Sequence, residues 1–370
     1  MELKKIKIIV IFTLISLITA GIVHSIYTKQ TLEITEGEKL LPKFKNYANN
    51  VTDLQLQGGG IIFTIKKAKY GEWKLIERGS YPVSRKRVEK LFSQIAKAEL
   101  IEAKTNNPKL HSFLQLEDPE KKNTTAKRIK LMDQSGLTLS ELVIGKLRFN
   151  AFGRNKSGTY VRLAGDTQTW LAYPAIQFEL LVSDWVDPYF FKITADEITS
   201  ITLIPPDGQI IKIVSEVANN SLPSDETDKD NKEYTGNELK KPKFRFINIP
   251  EGKKLKERIN AFEIVRVLET LELKDVRKSK IIKDKENSSV FTASIETNNS
   301  LLLKLNLLKS ENSDYWLSAE IIKNGNDLEY ANKLRKELEG WHFKIANWSA
   351  DQFFIHKKDI FEDVSSNISK

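Results

Sequence analysis

The sequence predicts an α+β fold: one N-terminal transmembrane helix, then two tandem repeats of antiparallel β-hairpins with packed helices. Three observations predict it. Ile6–Tyr27 is an almost unbroken apolar run. Short apolar runs divided by turn residues recur through the remaining chain, as hairpins require. Segments of the first half also return, in order, in the second.

As a helix the apolar run spans roughly 33 Å, about one hydrocarbon core. Thr13, Ser16 and Thr19 interrupt it only with neutral hydroxyls that can bond back to the helix. Lys4, Lys5 and Lys7 crowd one end, which the positive-inside rule keeps in the cytoplasm. A cleaved signal peptide is the competing reading, with Val23-His24-Ser25 as a peptidase site. The run is longer than the usual apolar region of such a signal, which favours an uncleaved anchor.

Val51-Thr52-Asp53-Leu54-Gln55-Leu56 resembles Ile198-Thr199-Ser200-Ile201-Thr202-Leu203. Each meets a turn, Gly58-Gly59-Gly60 or Pro205-Pro206-Asp207-Gly208, and then a second strand, Ile61–Ile65 or Ile210–Val214. Trp73–Ile76 matches Phe244–Ile247. A helix follows in both halves, with Ser84 as N-cap and Val88, Leu91, Phe92 and Ile95 as its apolar stripe; Ile264, Val265, Leu268 and Leu271 repeat that stripe. Ala98-Glu99-Leu100 matches Leu271-Glu272-Leu273. Hairpins are then expected from Arg128–Met132 with Leu139–Ile144, and from Val290–Glu296 with Leu301–Leu308. A third, Thr159–Leu163 with Gln168–Ala172, precedes a short helix opened by Pro174, with Asp327–Leu338 as its counterpart. Phe191-Lys192-Ile193 recurs as Phe343-Lys344-Ile345, and Ala195–Ile198 as Ala350–Phe353. The expected organisation is a cytoplasmic tail (1–5), a transmembrane anchor (6–27), a first repeat (28–194) and a second (195–370). The polar insertion 216–241 is too poor in apolar residues to offset its ordering entropy and is expected to be a mobile loop.

The 370 residues carry 58 Lys and Arg against 49 Asp and Glu, a net charge of +9, with no Cys and four His. Disulfide scaffolds, thiolate metal sites and cysteine nucleophiles are thereby excluded. His111, His342 and His356 lack ligand-like spacing. Glu117-Asp118-Pro119-Glu120 lacks the alternation of an oxygen-ligand loop and reads as a turn. Asp225, Asp228 and Asp230 read as a solvated charge run. The glycine triplet reads as a hairpin turn, since its counterpart contains two prolines. Trp73, Trp170, Trp185, Trp316, Trp341 and Trp348 read as core, with a sugar-binding groove as the alternative. The basic clusters Ser84-Arg85-Lys86-Arg87 and Lys253-Lys254-Leu255-Lys256 lack the stacking aromatics of a nucleic-acid site, so nucleic acid is not expected as a partner. Attraction to anionic headgroups is the other possibility, and a solvated helix face is the preferred reading. No residue is assigned a catalytic, cofactor-binding or metal-binding role, and no cofactor is expected.

Trp73-Lys74-Leu75, Tyr81-Pro82-Val83, Val88 and Leu91 resemble the opening motif of the domain-of-unknown-function family numbered forty-three forty. Leu116-Glu117-Asp118-Pro119 resembles its middle motif, Gly-Leu-acidic-x-Pro, with Gln115 in place of the glycine. Ile144-Gly145, Tyr160-Val161-Arg162 and Trp170-Leu171-Ala172 resemble its closing part. Members are membrane-anchored bacterial proteins similar to the auxiliary component of gliding-motility-type ABC exporters. The resemblance implies a single-pass inner-membrane protein with its body in the periplasm. The implied role is a non-enzymatic accessory or scaffold subunit beside an ABC permease and ATPase. The chain has no Walker motif. A periplasmic lipid- or glycan-binding module is the alternative, and an envelope hydrolase with acids gathered in space the third.

Overall fold

Period-two burial builds most of this chain. In β2 (Asp53–Gly58), Leu54 and Leu56 are fully buried while Asp53, Gln55 and Gln57 are not, as a half-covered sheet demands. The structure is a computed structural model that describes residues 37–121, 123–189, 192–216, 242–279, 289–310 and 312–364, with Thr13 and Ser16–Thr19. The fold is α+β, with large antiparallel sheets and few helices. The chain divides into two compact units, one ending at Leu180 and the other beginning at Leu181.

The first unit opens with β1 (Glu38–Lys39) and the short helix α1 (Phe44–Tyr47), ahead of β2. β3 (Ile61–Lys67), β4 (Trp73–Leu75) and β5 (Tyr81–Pro82) follow, then helix α2 (Arg85–Lys97). Val88, Leu91 and Ile95 form the buried stripe of α2, each contributing roughly 1.5–3 kcal/mol by leaving water. Phe92 meets Phe44 and Trp73 edge-on, at 5.8 and 6.0 Å between ring centres. Then come β6 (Glu99–Ala103), β7 (Lys127–Met132), β8 (Thr138–Arg148), β9 (Gly158–Leu163) and β10 (Trp170–Tyr173). They complete a ten-stranded sheet in the order β1-β6-β10-β9-β8-β7-β2-β3-β4-β5. Gly59 and Gly60 both hold positive φ at the β2–β3 turn, so the triplet turns the hairpin.

The second unit contains β11 (Ile198–Ile204), β12 (Ile211–Ser215), β13 (Phe244–Ile247), β14 (Lys253–Leu255) and helix α3 (Ala261–Arg266). β15 (Leu273–Lys278), β16 (Ser289–Thr297), β17 (Leu301–Lys309) and β18 (Tyr315–Asn324) follow. α4 (Leu328–Leu338), β19 (Trp341–Ile345), α5 (Asn347–Phe353), α6 (Lys357–Ile360) and β20 (Phe361–Asp363) complete it. Its eight-stranded sheet runs β13-β12-β11-β16-β17-β18-β19-β15, and β14 pairs separately with β20. Strand for strand, this is the order β4-β3-β2-β7-β8-β9-β10-β6 of the first sheet.

Several sequence expectations change. No helix starts at Pro174: Ile176 and Phe178 are buried while Gln177 and Glu179 are exposed, an alternation that keeps the chain extended. Ala175 N–H and Ile176 C=O bond to Ser157 O and Thr159 Oγ1 instead. The helix 328–338 lies between β18 and β19, where the first unit has only the turn 164–169. Phe343-Lys344-Ile345 belongs to β19, whose place in the first sheet is taken by β10, whereas Lys192 and Ile193 lie outside any strand. Ala195–Glu197 is a 3-10 turn leading into β11, and Ala350–Phe353 ends α5 after β19. Residues 181–189 and 192–194, read from sequence with the first repeat, belong to the second unit, and Leu273 N–H donates to Pro188 O at 2.8 Å. Ser84 occupies the N-cap of α2 but its side chain makes no capping bond. The anchor 6–27 lies outside the described residues except Thr13 and Ser16–Thr19, which are helical, with Thr19 Oγ1 donating to Ser16 O. Among the described residues no helix is long and apolar enough to cross a membrane. The insertion 216–241, apart from Glu216, also lies outside the described residues.

Candidate functional site

In the connection between β6 and β7, residues 104–121 and 123–126 form a strap docked on one face of the first sheet. Asn107 caps a 3-10 turn, Pro108–Leu114, by accepting from Lys109 N–H. His111 is buried, and its Nε2 bonds Thr167 O at 2.9 Å, tying the strap to the β9–β10 turn. Gln115 then reverses the chain at φ 57°, a left-handed position that suits glycine. Leu116 is fully buried with Ala126 and Val143, against Leu114 and Tyr160.

Gly145 in β8 explains this docking. A Cβ there would lie 2.3 Å from Leu114 O and 2.8 Å from Leu116 Cδ2, so the strap backbone rests where a side chain would project. Two arginines secure it. Pairing places Arg128, Val143 and Arg162 in one row across β7, β8 and β9. Arg162 Nε donates to Leu116 O at 2.8 Å. Arg128 faces Glu141 at 3.1 Å, Glu120 at 3.0 Å and Asp118 at 3.4 Å. Burial lowers the Arg162 guanidinium below its ordinary range; Asp118 opposes that effect and Arg128 reinforces it. Glu117 accepts from Thr124 Oγ1 at 2.9 Å, and its other oxygen is buried without a partner among the described residues. Asp118 accepts from Glu120 N–H, making the turn read from sequence. This is a clamp of matched charges.

The second sheet is built differently at the same place. Ile144 pairs with Val161 as Leu307 pairs with Leu317, so Leu308 stands where Gly145 stands and Trp316 where Tyr160 stands. Thr292, Asn306 and Ser318 replace the row Arg128, Val143 and Arg162. Leu308 and Trp316 pack on each other, and the Arg277 guanidinium lies 3.9 Å from the Trp316 ring centre. Arg277 pairs across strands with His342, which is 8% exposed and whose Nδ1 has no partner among the described residues. Burial, then the neighbouring Arg277 charge, push His342 from 6.5 down to about 4.

His111 belongs to the strap of the first unit; in the second, His342 pairs with Arg277, and His356 lies against Phe291 and Asp207. Among the described residues no three metal-ligating side chains form a cluster. Trp73, Trp185 and Trp316 are buried, Trp170 and Trp341 are half-buried, and Trp348 is 53% exposed. Lys253 and Lys254 pair with Asp363 and Glu362 on β20, so two of that cluster's three lysines are neutralised within the fold, and Lys256 donates to Lys358 O. Two carboxyls are held low: Glu99 chiefly by its bond from Lys39, and Asp133 by the Ser135 hydroxyl and turn amides.

Sequence reasoning missed the strap and both arginine roles. The available signal was Gly145, a glycine inside a strand, which marks a close approach of another backbone. These features define a class: a two-unit antiparallel-sheet protein whose first sheet carries a clamped strap. The chain belongs to the family described as Domain of unknown function (DUF4340), whose model matches residues 73–288. No curated protein and no solved structure matches the chain.

Proposed function

We propose that the chain is a single-pass protein of a bacterial inner membrane, anchored through 6–27, with its N-terminus in the cytoplasm and its body in the periplasm. The body is two tandem copies of one α+β unit, and it serves as an accessory or scaffold subunit of an ABC-type export complex. The observation that carries this reading is the strap: of the polar residues of the family motifs, Asp118 and Arg162 are engaged in holding backbone and Glu117 in holding the Thr124 hydroxyl. Such use suits a presenting surface better than a reaction centre. The apolar run with Lys4, Lys5 and Lys7 at one end supports the anchor and its orientation. The shared strand order supports the duplication.

The test is capture of the full chain, tagged at Lys370, from gently solubilised native membranes. Recovery of an ABC permease and its ATPase in near-equal amounts supports the scaffold reading. Recovery of the chain alone, under extraction that keeps known complexes whole, refutes it.

A further inference from the structure

α2 breaks the rule that helix starts favour negative charge. Its first turn holds Arg85, Lys86 and Arg87 and no acid, at the end where the helix dipole repels cations. Glu89, the one acid of α1 and α2, is taken by Arg85 at 2.7 Å. Lys86, Arg87 and Lys90 are exposed and form no ion pair among the described residues. Lys43 and Lys45, flanking Phe44 at α1, are exposed and unpaired in the same sense. Phe44 against Phe92 joins the two helices, so five uncompensated cations lie on one helix pair. The lysines of β14, by contrast, have their partners on β20.

The place of this pair in the chain matters as much as its charge. Among the described residues, α1 is the first helix after the apolar run. Between Tyr27 and Gly37 a chain reaches at most about 35 Å when fully extended. We infer that the α1–α2 face docks on an anionic phospholipid surface, holding the first unit down on the bilayer that anchors it. This rests on the anchor reading. The apolar run supplies proximity, and the unpaired cations supply attraction to headgroup phosphates, each acting within about a Debye length of the surface.

The full chain lacks cysteine, so Ser93→Cys, at an exposed position of α2, gives one labelling site for a fluorophore. The labelled chain is reconstituted into vesicles carrying a headgroup quencher, either neutral or with about 30% phosphatidylglycerol. The expected result is at least about threefold more quenching in anionic vesicles, returning to the neutral level in about 0.5 M salt. Lys86→Glu with Arg87→Glu and Lys90→Glu abolishes that excess. It leaves thermal stability equal or higher, because the reversal suits the helix dipole, so lost folding cannot explain the result. Equal quenching in both vesicles, or an excess that survives the reversal, overturns the inference. Flotation separates the two readings. If the chain fails to float with neutral vesicles, the anchor reading fails. Flotation with anionic vesicles alone, lost on charge reversal, then still supports the docking face, and flotation with neither overturns both.

Discussion

Acid should weaken the second unit through one residue. His342 sits buried on β19 opposite Arg277, and is held at about 4 against 6.5 for a free imidazole. Above pH 6.5 the side chain is neutral both folded and unfolded, and it adds no pH dependence. As pH falls from 6.5 towards 4, the unfolded chain takes up a proton that the folded state refuses, and stability drops. Below about 4 both states are protonated and the loss is complete. At 1.36 kcal/mol per unit, the gap amounts to about 3 kcal/mol. His342→Phe keeps a ring in the site and removes the titration, while every carboxylate titrates alike in both proteins. Urea titrations of the full chain from pH 7 to 4 therefore read the effect as a difference between the two. Hydrogen exchange at the Trp341–Ile345 amides identifies the transition belonging to this sheet. The wild type should lose about 3 kcal/mol more than the variant. A difference that stays within about 0.5 kcal/mol would refute the account, showing that neither burial nor Arg277 holds the imidazole neutral.

Three further outcomes follow from the strap. Gly145→Ala drives a methyl against Leu114 O, so the strap must lift, losing the Arg162–Leu116 bond and part of Leu116's burial. We expect about 3–5 kcal/mol of destabilisation in denaturant unfolding, with faster proteolysis at Lys109 or Lys121; a loss under about 1 kcal/mol would show that the strap is not held there. Arg128→Met leaves Glu141 with only the more distant Lys130, at 3.9 Å, and should cost about 1–3 kcal/mol, and adding Glu141→Gln should recover part of it, since the other two acids are exposed enough to rehydrate. Gln115→Gly relieves a left-handed backbone costing about 1–2 kcal/mol, less about 0.5–1 kcal/mol of added chain entropy; the midpoint of thermal unfolding should therefore stay or rise, and a clear fall would contradict the turn described.

Strands and hairpins were readable because their burial alternates locally: Leu54 and Leu56 against Gln55 and Gln57 state the inward face without reference to the rest of the chain. The stripe Val88, Leu91 and Ile95 was readable for the same reason at helical period. The segment after Pro174 misled, because a proline that tolerates a helix start says nothing of the alternation of Ile176 and Phe178 that follows it. Matching short words across the halves also slipped where α4 intervenes between β18 and β19. There Phe343–Ile345 aligned by letters with residues 191–193 and by sheet position with Trp170–Ala172. The strap was beyond local reading altogether. Its contacts join residues far apart, as Arg162 to Leu116, and no periodicity records a backbone crossing a sheet. Where Gly145 hinted at it, the partner remained unnamed.

The lead-in to each unit has a practical consequence for anyone dividing the gene. Glu38 and Lys39 run alongside β6, and Pro188 bonds to Leu273 at the start of β15. A fragment begun at residue 195 would discard Trp185 and Val186 from the interior and leave the first amide of β15 without its acceptor. Bare strand margins of that kind recruit neighbours, so such a fragment should self-associate, whereas one begun at Leu181 retains its own margin.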